Sequence, residues 1–299
     1  MSRVCVIGGS RYFGKRLIRR LLERGDRVTV VNRGSAPAPE GVELLVADRN
    51  DEAALRAAVG DRRFDVVVDQ VCYTPVQAAI ARRVFEGRTA RYVMTSTIEV
   101  YEHEDAPGGV PEDAIDLSAV AVRPELPWGD ADFLDEHYGE GKRQAEAVFA
   151  AAPAFPYVTV RVAHVLGGAD DFTGRLEHYA DRLRAGEPIA VDVPGHPSTY
   201  IHVEEIADFL AWAADADFTG PVNAHAHGPL DTADVVAAVR AVTGGPEPVY
   251  RPVAEGEPAS PFSFARAYGM SNARAEGLGF RFSHTGDWLA AAVAESLTR

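Results

Sequence analysis

The chain has 299 residues, 46% of them hydrophobic and 9% aromatic, with a formal net charge of −14 and a pI of about 5.1. That length suits one large or two intimate domains with a sizeable core. No run reaches the roughly 20 apolar residues of a membrane span, and the acidity argues against nucleic acid as the main partner.

Arg3-Val4-Cys5-Val6-Ile7 reads as a short apolar strand. It follows the N-terminus directly, leaving no signal or transit segment, and Cys5 and Cys72 both lie in strand-like runs. They read as core residues of a reducing cytosol, so a cytoplasmic location is expected. The turn Gly8-Gly9-Ser10-Arg11-Tyr12-Phe13-Gly14 comes next, then an amphipathic helix over 15–24 with Leu17, Ile18, Leu21 and Leu22 on one face. Gly25 closes the helix, and a second strand covers 27–31. A glycine turn directly after the first strand of a βαβ unit suits a dinucleotide pyrophosphate at the helix N-terminus. Residues 8–14 are therefore candidate cofactor ligands. An NAD-selective site needs a carboxylate at the end of the second strand. Asn32 stands there instead, followed by Arg33, and Arg11 occupies the usual middle glycine. Two guanidiniums near the adenosine ribose suit a 2′-phosphate, so NADP(H) is favoured while NAD(H) stays open.

A third strand is expected over 42–46, with Asp48 and Arg49 at its end placed to contact adenine. A helix over 51–59, a strand over 64–69, a helix over 75–85 and a strand over 92–95 continue the alternation. The pattern predicts a doubly wound, parallel α/β sheet. Ligands of such sheets bind beyond the carboxyl ends of the strands, which directs the hydroxyl run Thr95-Ser96-Thr97 toward the cofactor. Between Glu99 and Glu140 stand thirteen acidic residues and one basic residue, Arg123, so this window holds −12 of the net −14. The stretch 102–137, rich in proline and glycine, reads either as a solvated acidic loop or as a substrate lid that favours a cationic substrate. Trp128 and Phe133 are its candidate substrate contacts.

Tyr138 and Lys142 share a helix face if the helix predicted over 142–152 starts one turn early. A nearby ammonium lowers a tyrosine pKa and makes the pair an acid/base for a carbonyl or alcohol oxygen. Gly139 and Gly141 weaken that helix and allow close approach of a ligand. A sixth strand over 157–162 leads to His164, a candidate substrate contact, and a helix is expected over 172–185. His225 and His227 alternate as on one strand face, with no cluster around them that would hold a metal. Residues 246–261 read as a proline-rich surface connection.

The turn at 8–14, Asp48-Arg49, TSTIEVY at 95–101, YGEGK at 138–142 and YIHVEEIA at 200–207 together resemble the extended short-chain dehydrogenases/reductases, the NAD-dependent epimerase/dehydratase family. The resemblance implies a Rossmann-type domain with a smaller α/β substrate domain. It places the former at 1–165 with 203–225 returning to it, and the latter at 166–202 and 226–299. It implies a catalytic trio of Thr97, Tyr138 and Lys142, with Glu99 as a candidate second base and Arg175 at the entry to the substrate domain. It leaves a homodimer open. The implied function is an NADP(H)-dependent oxidoreductase acting on a small carbonyl or secondary alcohol. A nucleotide-sugar epimerase or dehydratase with tightly bound NAD(P) is the alternative, and a non-catalytic or RNA-binding member is the third. The family's asparagine and diphosphate-binding arginine are replaced here, where Arg161-Val162-Ala163-His164 and Pro197-Ser198-Thr199-Tyr200 stand.

Overall fold

The computed structural model describes residues 1–35, 39–104, 106, 108–151 and 153–297. Pro107 of the acidic stretch and Ala152, the expected end of the helix after Tyr138, lie outside these residues. Two compact units are present: 1–103, 112–162 and 207–223 form the first, and 104–111, 163–206 and 224–299 the second. The chain runs through β1 (Arg3–Ile7), α1 (Phe13–Glu23), β2 (Arg27–Asn32), β3 (Glu43–Val46), α2 (Glu52–Val59), β4 (Val66–Asp69), α3 (Pro75–Phe85) and β5 (Tyr92–Thr97). It continues through α4 (Ala131–Glu136), α5 (Tyr138–Ala151), β6 (Tyr157–Val162), β7 (His164–Leu166), α6 (Arg175–Ala185), β8 (Ile189–Val191) and β9 (Tyr200–His202). The remainder is α7 (Val203–Asp215), β10 (Gly220–Ala224), α8 (Thr232–Thr243), β11 (Tyr250–Pro252), α9 (Ala273–Gly277) and α10 (Thr285–Leu297).

The first unit is built on a seven-stranded sheet in the order β10-β6-β5-β4-β1-β2-β3. Its β1–β2, β1–β4, β2–β3, β4–β5 and β5–β6 pairings are all parallel. Every residue of β4 and β5 is buried, as expected of strands covered on both faces. One core cluster stacks Tyr92 against Phe149 and Phe155, with ring centroids 5.0 and 5.1 Å apart. Caps fix where helices start: Asp51 accepts from the Ala54 NH at α2, and Thr74 from the Gln77 NH at α3. A buried polar knot ties α5 to its neighbours. Glu146 accepts from the Ser96 hydroxyl at 2.5 Å and from Arg161 at 2.7 Å, and Arg161 donates to the Tyr101 hydroxyl at 2.6 Å. Tyr101 donates in turn to the Asn223 side chain, and the Asn223 NH donates to Glu112.

The second unit has two small parallel pairs, β7–β9 and β8–β11. Its core gathers Leu176, Tyr179 and Leu183 of α6 with Val235, Val236 and Val239 of α8 and Val293 of α10. A capping box between Asp231 and Asp234 starts α8.

Several expectations shift. The stretch 102–137 is not wholly irregular: Asp130 accepts from the Phe133 NH and starts the short α4, and 112–114 form a 3₁₀ turn. The helix expected from 172 starts at Arg175, because Gly174 takes a left-handed conformation with φ 69°. The proline-rich connection contributes β11 to a sheet. His225 and His227 lie past the end of β10.

Candidate active site

The glycine turn has the geometry of a backbone cradle. Gly8 and Gly9 take φ of 86° and 77°, open to glycine at little cost. A Cβ on Gly14 would stand 2.6 Å from the Gly9 Cα and 2.4 Å from the Gln70 side chain, so α1 can approach β1 this closely only through glycine. Tyr12, at the N-cap of α1, is held at φ 50° and provides no side-chain cap, in contrast to the caps of α2 and α3. The N-terminus of α1 directly follows this glycine turn, the place where a helix end suits an anion. These residues fit a dinucleotide pyrophosphate. Around the expected ribose, Asn32 donates to Ser10 at 3.1 Å and accepts from the Gly34 NH at 2.7 Å. Arg11 and Arg33 are exposed and form no ion pair among the described residues.

Arg49 is not free to reach an adenine. It is buried, 2.9 Å from Asp69, and donates to the carbonyls of Val71 and Gln77 at 2.8 and 3.2 Å. Asp69 also accepts from the Tyr92 hydroxyl at 2.6 Å. Arg49 thus braces the carboxyl end of β4, while Asp48 beside it is exposed.

Helix α5 begins at Tyr138 itself, so Tyr138 and Lys142 occupy one face, one turn apart. The Thr97 hydroxyl is close enough to that of Tyr138 to hold its pKa down, and the Thr97 oxygen accepts from the Glu99 NH at 3.2 Å. Desolvation pushes the Tyr138 pKa up, with Tyr73 and the Glu99 carboxylate adding to the rise and the Thr97 hydroxyl opposing it. Lys142 does not bring it down here. Its ammonium instead donates to the Thr95 carbonyl at 2.7 Å and lies 4.5 Å from the Tyr73 ring centre and 5.8 Å from that of Tyr138. Burial lowers the Lys142 pKa to about 8. The two glycines of the segment serve backbone packing rather than a ligand. A Cβ on Gly139 would stand 2.4 Å from the Glu99 carbonyl, and one on Gly141 2.6 Å from the Tyr73 carbonyl. Tyr73 was not singled out from the sequence: it stands four residues past the end of β4, whereas Thr97 is the last residue of β5.

Trp128 is buried, donates to the Arg123 carbonyl at 2.8 Å and packs over Gly141. Phe133 stacks on His137 with centroids 4.1 Å apart. In the second unit, His164 is buried among Tyr200, Phe262, Phe264 and Tyr268, with centroids 5.2 to 5.7 Å away. Burial depresses its pKa to about 3, so it is neutral at pH 7. Arg175 stacks over Phe262 at 4.9 Å and donates to the Val165 carbonyl. His225 stacks on Phe282, and His227 pairs with Glu276 at 2.8 Å. Among the described residues no group of three or more His, Cys, Asp or Glu could hold a metal, and no helix is long and apolar enough to cross a membrane.

A doubly wound sheet with a glycine turn at the first βα junction defines a Rossmann-type, NAD(P)-binding enzyme. Residues 4–226 match the profile of the NAD dependent epimerase/dehydratase family, and the chain belongs to that family. Among curated proteins, 2′-dehydrokanamycin reductase of Streptomyces kanamyceticus is 32% identical over 138 residues, 43% of this chain and 39% of that protein. The chloroplast stem-loop binding protein of 41 kDa b from Arabidopsis thaliana is 23% identical over 224 residues, 69% of this chain. The match spans 53% of the length of that protein, so this chain covers about half or less of either relative. Solved structures that share the fold include Bordetella bronchiseptica WbmH in complex with NAD+, with TM-score 0.74 and 19% identity over 99% of this chain and 98% of that one. UDP-glucose 4-epimerase of Thermotoga maritima with UDP-glucose aligns with TM-score 0.75 and 18% identity over 98% of both chains.

Proposed function

We propose that the chain is an NADP(H)-dependent oxidoreductase of a small carbonyl or secondary alcohol, with Thr97, Tyr138 and Lys142 as its proton-transfer residues. The observation that carries this reading is the hydroxyl pair Thr97–Tyr138 at the end of β5, with the buried ammonium of Lys142 beside it. When bound, the nicotinamide cofactor supplies or accepts hydride. Tyr138, kept protonated by its dry surroundings, gives its proton to the carbonyl oxygen in the reducing direction. Thr97 holds that oxygen by donating its single hydroxyl proton to it as negative charge grows there. Lys142 is the residue that would hold the nicotinamide ribose, Gly8, Gly9 and Gly14 the pyrophosphate, and Arg11 and Arg33 the 2′-phosphate. The curated relative from Streptomyces kanamyceticus is named as a reductase, which supports the redox reading.

A second reading is a redox-neutral epimerase or dehydratase that keeps its cofactor. Glu99 favours it, since its carboxylate is close enough to raise the Tyr138 pKa and could act as a second base. Against it, His164 stands in place of the asparagine, and Pro197-Ser198-Thr199-Tyr200 lacks the diphosphate-binding arginine, that the resemblance leads one to expect. Stoichiometric consumption of NADPH during carbonyl turnover supports the first reading, and turnover without net redox change the second.

The cofactor preference is tested by fluorescence titration with NADPH and NADH. NADPH is expected to bind more tightly. Arg33→Ala should weaken NADPH by about tenfold or more, the value of a charge-assisted hydrogen bond, and leave NADH within about twofold. Equal losses for both nucleotides would sink the 2′-phosphate assignment.

A further inference from the structure

Lys142 is only 1% exposed, and among the described residues it has no ion pair. The other large buried cations are treated differently: Arg49 lies against Asp69 at 2.9 Å, and Arg161 against Glu146 at 2.7 Å. An isolated buried ammonium is costly, and its three N–H groups need partners. One of them has the Thr95 carbonyl at 2.7 Å. A ring face also lies beside it, that of Tyr73 at 4.5 Å, against 5.8 Å for Tyr138.

Tyr73 is fixed in that place by its own backbone. Its NH donates to the Gln77 side chain at 2.6 Å, and Gln77 donates to Asn50 at 2.8 Å. Its carbonyl fits into the gap left by Gly141, one residue before the lysine. Its ring lies 6.1 Å from that of Tyr138, at 47°. The loop after β4 and the glycine of α5 together bring this ring under the ammonium.

We propose that Tyr73 is a positioning residue of the proton-transfer site: its ring face carries the Lys142 ammonium and holds it between the Thr95 carbonyl and Tyr138. Its role in turnover rests on the reading above; the holding of the charge does not. Other groups facing Lys142 are Asp69 and Cys72 at the end of β4 and Glu146 on α5, all favouring the ammonium, and Arg49, opposing it. None of these is an ion-pair partner of Lys142, and desolvation outweighs them all. Removing the quadrupole of the Tyr73 ring disfavours the charged form further, so the Lys142 midpoint moves down and the ammonium is lost at a lower pH.

The chain contains two lysines, Lys15 on the surface and Lys142, so the lysine titration can be read without turnover. Protein labelled with 13C at lysine Cε gives one resonance from each, and Lys15→Arg assigns them. In the unsubstituted protein the Lys142 midpoint is expected at about 8, below the ordinary lysine value. Tyr73→Phe keeps the ring face and should leave the midpoint within about 0.3 pH unit. Replacing Tyr73 by mono-, di- and trifluorinated phenylalanines keeps the shape while weakening the negative face. The midpoint should then fall stepwise, by about one unit in total. A midpoint indifferent to fluorination would overturn the proposal, as would a Lys142 midpoint at the ordinary lysine value. The alkaline limb of the kcat profile should follow the same series. Failure of the functional reading shows itself separately, as turnover that survives Tyr138→Phe while the titration series still holds.

Discussion

Tyr138 stands at the junction of two environments. Dry packing raises its pKa, and the Thr97 hydroxyl works against that rise. If it is the proton donor, Tyr138→Phe should lower kcat by about a hundredfold or more while the dissociation constant for NADPH stays within about twofold. Steady-state turnover and fluorescence titration on the same preparation check both halves. Tyr138 and Lys142 were legible because their spacing is local, and Thr97 because it ends a strand. The real partners of Arg49 were not. They are Asp69 and the Val71 and Gln77 carbonyls, 20 to 28 residues away, and no local pattern announces a contact across two strands. The same limit hid Tyr73, whose meaning comes from a helix about seventy residues later.

The α5 helix carries the chemistry and depends on what its glycines admit. Gly139 meets the Glu99 carbonyl and Gly141 the Tyr73 carbonyl, so the helix lies against backbone on two sides. Gly139→Ala puts a methyl 2.4 Å from an oxygen that belongs to the main chain and cannot rotate away. The expected cost is about 1–3 kcal/mol of stability, measured by urea unfolding, although alanine is the better helix former. An unchanged or higher midpoint would show that the helix can slide to make room. Elements such as α2 and α3 were readable from the alternation of strand-like and helix-like runs, and β1 from its apolar run; the caps Asp51 and Thr74 fix where the two helices begin. The short α4 was obscured by the prolines and glycines around it. The start of α6 depended on a left-handed Gly174, which composition alone does not distinguish from an ordinary turn glycine.

At the scale of the whole chain, alternating strands and helices made the sheet class readable, and the glycine turn placed the cofactor end. Charge is distributed with less economy. Much of the acidity between Glu99 and Glu140 is exposed, including Asp113, Asp132, Asp135 and Glu136. If that surface recruits a cationic substrate, KM for an amine-bearing carbonyl should rise roughly threefold or more between about 0.1 M and 1 M salt, as the Debye length falls from about 10 Å to about 3 Å. An uncharged analogue should show no such trend. Matching salt dependence for the two would leave the acidity as a solvated face.

The polar knot beneath α5 has a consequence in time. Arg161 lies on β6, but Asn223, which receives the Tyr101 hydroxyl and donates its NH to Glu112, is about sixty residues further on. Between them the chain leaves the first unit, builds part of the second and comes back. During synthesis at about 5–20 residues per second, roughly 3 to 12 s separate the two residues. Through that interval the Arg161–Glu146 pair has its ionic partner but lacks the strand that completes its surroundings. The helix bearing Tyr138 and Lys142 is thus translated in the first half of the chain, yet it reaches its finished support only after the returning strand arrives.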